Sequence, residues 1–188
     1  MNEPSTRDHI VTAADELFYQ QGFETTSFAD IAQAVNISRG NFYHHFKTKD
    51  DILQAVIARR LDNTSDLLQR WEQEGTTPQA RILCFIQILI ANQARILLYG
   101  CPVGTLTSEL AKLQHGALPD ANQLFTLFRT WLREQFVALG RKKDADQLAM
   151  HVLGRSQGVA TLANAFQDEQ YLKQEVKQLR QWLQQIVD

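Results

Sequence analysis

Between Ser38 and Lys49 the chain reads Ser-Arg-Gly-Asn-Phe-Tyr-His-His-Phe-Lys-Thr-Lys. Arg39 brings a planar fork of donors that matches guanine O6 and N7, and Asn41 an amide that matches adenine. Tyr43 and His44 carry polar tips able to reach phosphates or base edges. Gly40 lacks a Cβ and lets a backbone approach closely. Asn36 to Lys49 contains no acid, and Arg39, Lys47 and Lys49 supply three positive charges. The first sixty residues together hold six Lys/Arg against eight Asp/Glu. Positive charge is therefore placed locally, as docking on a phosphate backbone requires.

Short helices must position these side chains. Ile10, Ala13, Ala14, Leu17 and Phe18 fall on one helical face that Gly22 ends. Ser27 starts a second helix, with Asp30 three residues later completing a cap pattern. Val35-Asn36-Ile37 turns the chain, and Ser38 caps a third helix. Phe42 and Phe46, spaced i and i+4, anchor that helix and leave Arg39, Asn41, Tyr43 and His44 outward. This is a helix-turn-helix pattern, whose second helix enters a major groove. Thr26 and Ser27 at one helix start, and Lys47, Thr48 and Lys49 at another, suit phosphate contacts.

The whole chain has 188 residues, 44% hydrophobic and 21% charged, with net charge −2. That composition is globular and excludes a polybasic coat protein. Few Pro and Gly and long Leu-, Ala-, Gln- and Arg-rich stretches predict an all-α protein of about nine helices. Polar residues interrupt the most apolar run, Ile82 to Leu98, so no membrane span is expected. Cys84 and Cys101, without an export signal, are expected as reduced thiols in the cytoplasm. No His or Cys pair has metal-ligand spacing, and no cofactor or metal is expected.

The block Thr25 to Ala32, followed by Ser38 to Lys49, resembles the N-terminal signature of the TetR family of transcriptional regulators. The match covers residues 7 to about 58. Asn36 departs from it, standing where the family usually has Gly, but Asn tolerates the left-handed conformation. The resemblance implies a cytoplasmic homodimer, usually a repressor. Such a protein binds a palindromic operator in double-stranded DNA and releases it when a small-molecule effector enters the C-terminal domain. Residues 1–47 are then the DNA-binding domain and 48–188 the helical effector-binding and dimerisation domain.

In the C-terminal part, Tyr99, Phe85, Phe125, Phe128 and Trp131 offer aromatic surface for an effector pocket or for plain core packing. Cys101 lies in Tyr99-Gly100-Cys101-Pro102-Val103-Gly104, just ahead of a helix start that favours thiolate. This segment is similar to the cysteine-bearing region of electrophile-sensing TetR repressors related to the N-ethylmaleimide reductase regulator. A small buried residue at a helix break is the alternative. The last two helices are the expected dimer surface, with closure of the chain's own core as the alternative. Gly154 and Gly158 allow close approach beside His151, and Leu172, Val176, Leu179 and Leu183 form an apolar seam. Two rival functions stand beside this reading. One is a helical protein–protein adaptor, and the other a cysteine-dependent hydrolase pairing Cys101 with His115 or His151. The hydrolase lacks a nucleophile motif and leaves the basic segment unexplained.

Overall fold

The computed structural model describes residues 5–187, with Arg39 described by its backbone alone. Ten helices and no strand occur among the described residues. They are α1 (Thr6–Gln21), α2 (Phe28–Ala34), α3 (Arg39–His45), α4 (Lys49–Glu74), α5 (Pro78–Ala91), α6 (Gln93–Tyr99), α7 (Pro102–Lys112), α8 (Leu118–Ala138), α9 (Ala145–Phe166) and α10 (Glu169–Val187). The all-α expectation holds. The tenth helix arises because the chain breaks at Asn92, whose side-chain amide donates to the Ile88 carbonyl at 3.0 Å. That bond satisfies a helix-end acceptor and lets α6 start anew.

The chain divides into two compact units. The first runs to Asp62 and takes in Thr105–Gln123, which moves the boundary away from residue 47. The reason is packing. Ile52, Leu53, Val56 and Ile57 of α4 are buried in one core with Ile10, Phe18, Phe23, Ile31, Phe42 and Phe46. Leu106, Leu110, Ala117 and Ala121 complete that core. A helix-turn-helix of this length buries too little apolar surface alone, and these segments supply more.

Helix starts in the first unit follow local chemistry. Ser5 and Asp8 form a capping box on α1, and Ser27 and Asp30 form one on α2. Thr48 and Asp51 exchange the same bonds at α4, with Asp51 N–H donating to Thr48 Oγ1 at 3.0 Å and Thr48 N–H to Asp51 Oδ2 at 2.9 Å. Each pair satisfies two otherwise orphaned donors. The cap hydroxyls stabilise the ionised carboxylates, holding Asp8, Asp30 and Asp51 below the ordinary value.

The second unit comprises Asn63–Gly104 and Leu124–Asp188. Its core joins Trp71, Ile82, Phe85, Phe128, Leu132 and Phe136 to α9 and α10. A polar knot ties α4, α5 and α8. Glu72 Oε1 accepts from Trp131 Nε1 at 2.9 Å and from Gln135 Nε2 at 3.0 Å. Arg81 lies 3.7 Å from the other Glu72 oxygen and donates to the Gly75 carbonyl at 3.0 Å. Gln135 is buried, so these bonds keep its amide from being stranded. No single described helix is long and apolar enough to cross a membrane.

Candidate nucleic-acid interface

The turn between α2 and α3 depends on Asn36, which adopts φ 52°. The Asn36 N–H reaches Gln33 O at 3.1 Å and Ile37 N–H reaches Ala32 O at 3.2 Å, closing the turn tightly. Ser38 then caps α3 by accepting from the Asn41 N–H at 3.3 Å. Phe42 and Phe46 are buried, as their spacing predicts. Phe28 of α2 meets the Phe42 ring edge-on at 5.2 Å, and the Arg7 guanidinium lies over Phe46 at 4.9 Å. Aromatic packing thus fixes the inner face of α3.

The outer face is left to solvent. Ser38, Gly40, Asn41, Tyr43 and His44 are all exposed. Tyr43 is 39% exposed, its ring 5.5 Å from Phe28, so its position is set while its hydroxyl end is free to extend. A Cβ at Gly40 would meet nothing within 4 Å, so no packing within the chain demands glycine there. The side chain of Arg39 lies outside the described residues. Lys47 is exposed and its ammonium donates to the Tyr43 carbonyl at 2.5 Å, at the end of α3.

Two residues expected on phosphates are committed inside the protein. Thr26 is 1% exposed, and its hydroxyl donates to Gly22 O at 2.6 Å. The Lys49 ammonium donates to Phe23 O at 2.9 Å and Glu24 O at 3.0 Å, and it sits 4.4 Å from the Phe23 ring centroid. A cation with three such partners has little left for a phosphate. Ser27 and Thr48 are exposed, but their hydroxyls serve the caps on α2 and α4.

The remaining candidates lie in the second unit. Phe85, Phe128 and Trp131 are buried in its core, and Phe125 packs half-buried against it. Rings stack edge-on there, with Phe85 to Phe128 at 5.4 Å and Trp71 to Phe85 at 6.4 Å, so packing claims most of their surface. Trp131 also lines an open groove of about 410 Å³ with Leu68, Gln69, Glu72 and Gln73. Tyr99 and Cys101 are half-buried. Leu172, Val176, Leu179 and Leu183 are at most 3% exposed, which corrects their reading as dimer surface. They fill the chain's own core, where α10 packs on α5 and α9. His151, Gly154 and Gly158 are exposed, and His151 stacks on Trp182 at 4.4 Å. They share α9 with exposed Met150, Leu162 and Phe166, a surface that sequence periodicity did not single out. Among the described residues no three His, Cys, Asp or Glu side chains are grouped to hold a metal.

Comparison with known proteins adds four findings. The family described as bacterial regulatory proteins, tetR family, matches residues 10–56. A helix-turn-helix transcriptional regulator from the lacX 3′ region of Lactococcus lactis is 29% identical over 175 residues, covering 89% of this chain and 87% of its own. A TetR transcriptional regulator from Legionella pneumophila superposes with a TM-score of 0.85 at 25% identity over all of both chains. Reduced Escherichia coli NemR shares the fold, with a TM-score of 0.78 at 18% identity, covering 93% of this chain and 95% of its own.

Proposed function

We propose that this chain, which belongs to the TetR family of bacterial transcriptional regulators, represses transcription as a homodimer on a palindromic operator and releases it when a small molecule binds its second unit. The observation that carries the reading is α3 itself. Its inner face is pinned by Phe42 and Phe46, while Asn41, Tyr43 and His44 stay exposed beside Lys47. A pinned helix with a free polar face suits base reading, because contacts to bases need a rigid register.

The homodimer reading draws on α9. Met150, Gly154, Gly158, Leu162 and Phe166 repeat every four residues and are all exposed, Phe166 at 73%. A Cβ at either glycine would meet nothing within 4 Å. Glycine weakens a helix interior, and here no contact within the chain offsets that cost. A second copy packed against the stripe would use the small profile and cover the apolar residues. One helix-turn-helix reads few base pairs, and two-fold symmetry doubles them.

For the effector, the groove beside Trp131 offers an apolar wall and the Glu72 carboxylate. The half-buried Cys101 next to Pro102 is the second candidate, through alkylation of its thiol by an electrophile. The deciding experiment is operator selection from a random duplex pool, repeated with N-ethylmaleimide on the native chain and on Cys101→Ser. An enriched palindrome supports the regulator. Its loss on treatment of the native chain, but not of Cys101→Ser, assigns the sensor to Cys101. Indifference to the reagent moves the effector to a non-covalent site, and no enriched sequence overturns the reading.

A further inference from the structure

Residues 22–24, between α1 and α2, are held from two sides. Glu109 of α7 accepts the Phe23 N–H at 2.9 Å through Oε2 and the Glu24 N–H at 2.9 Å through Oε1. Lys49 binds the carbonyls of the same two residues. Four consecutive backbone groups therefore end on one carboxylate and one ammonium. Gly22 is shaped to this arrangement. It adopts φ 94°, and a Cβ there would stand 3.0 Å from Glu109 Oε1. The Phe23 ring is enclosed as well, with Phe18 and His115 edge-on at 5.2 Å and the Lys49 ammonium over its face. His115 in turn accepts the Ala117 N–H at Nδ1, which leaves Nε2 to meet Asp50 at 3.4 Å.

The path from this turn to the reading face is short. Thr26 ties back to Gly22 O, Ser27 caps α2, and Phe28 touches both Phe42 and Tyr43 of α3. A shift of the turn is carried to Tyr43 through one half-buried ring, that of Phe28. We infer that Glu109 is a positioning residue for operator reading, 86 residues away in sequence from the turn it holds. Its carboxylate, opposed by Lys49, sets where α2 begins and so where α3 presents its outer face. A carboxylate suits the role because both oxygens only accept, and two converging N–H donors need two acceptors. Glutamine would turn an NH₂ toward one of those donors.

The inference rests on the DNA-reading assignment, so the test separates the two. The full chain, Glu109→Ala, Glu109→Gln and Lys49→Met are titrated by anisotropy against the duplex selected by the native chain and against a scrambled duplex at the same salt. Glu109→Ala is expected to lose roughly tenfold in operator affinity, since two backbone donors, one of them on the buried Phe23, lose a charged acceptor, while scrambled-duplex affinity stays within about twofold. Glu109→Gln falls between, and Lys49→Met shows the same split. Amide exchange at Phe23 and Glu24 quickens in both Glu109 variants. Equal losses on both duplexes that track a lower melting temperature overturn the inference and leave Glu109 a plain stabilising residue. Unchanged operator affinity also overturns it. If Glu109→Ala does not fold, Glu109→Gln and Lys49→Met carry the comparison. A native chain that enriches no sequence overturns the DNA-reading assignment itself, and the inference with it.

Discussion

The two units are built by different rules. In the first, helix starts are written into adjacent residues, since Ser27 finds Asp30 and Thr48 finds Asp51 three positions on. In the second, Trp131 and Gln135 reach Glu72 from 59 and 63 residues along the chain, and Arg81 joins them. Local chemistry shapes the part that must hold a fixed register on a rigid ligand. Non-local packing shapes the part in which the effector is proposed to bind. The contrast predicts that damage in the two units will be felt differently.

The largest effects should come from the two cores. Phe42→Ala and Phe136→Ala each remove a ring that is at most 1% exposed, and each should cost about 3–5 kcal/mol in its own unit. Phe42→Ala should abolish operator binding while the second unit still melts near its native temperature. Calorimetry with anisotropy reads both, and a single shared transition for both variants would erase the distinction between units.

Backbone conformation should give the next effect. Gly22→Ala places a Cβ at φ 94° against Glu109, for a loss of about 1–3 kcal/mol. Gly40→Ala adds a Cβ in open space within a helix and should raise thermal stability by about 0.5–1 kcal/mol. Weaker operator binding despite that gain would tie Gly40 to close approach by DNA. Gain in both would remove it from the interface.

A cap in the second unit ranks below these. Thr77 accepts the Ala80 N–H at 3.1 Å, and Thr77→Ala should cost about 1 kcal/mol by chemical denaturation.

The smallest effect is that of acid. Asp8, Asp30 and Asp51 have carboxyls lowered below the ordinary aspartate value first by bonds from their cap hydroxyls, so the folded chain binds these protons less readily than the unfolded one. Their contribution is complete above that value and is lost as pH falls through the lowered folded-state values. Helicity of the first unit, followed by pH titration, should fall in that range, and Asp30→Asn with Asp51→Asn should flatten the slope. An unchanged slope would remove the caps as its source.

The same contrast explains what could be read from sequence. The caps, the left-handed turn at Asn36 and the anchoring of Phe42 and Phe46 are neighbour relations, and all were legible. The bonds that Lys49 and Thr26 make within the chain were not legible because their partners, the Phe23, Glu24 and Gly22 carbonyls, are backbone groups that no sequence pattern marks. Glu109 was missed for the same reason. The stripe on α10 showed that something covers Leu172, Val176, Leu179 and Leu183, but periodicity does not say what. The cover is this chain's own α5 and α9. On α9 the glycines and His151 were legible, but Met150, Leu162 and Phe166 beside them were not, because an exposed apolar row looks like a core-facing one until burial is known.

The capping acids also bear on how such a protein finds its place in a chromosome. Asp30 and Asp51 already neutralise the helix starts they guard, and the chain as a whole is net −2. Any duplex meets negative charge at those ends, which weakens the part of binding that does not depend on sequence. Cognate sites compete with on the order of a million or more others, so occupancy follows the ratio of the two affinities. Self-occupied helix starts weaken a term common to both affinities, so they leave that ratio to the base contacts and shorten each halt on the wrong stretch of DNA.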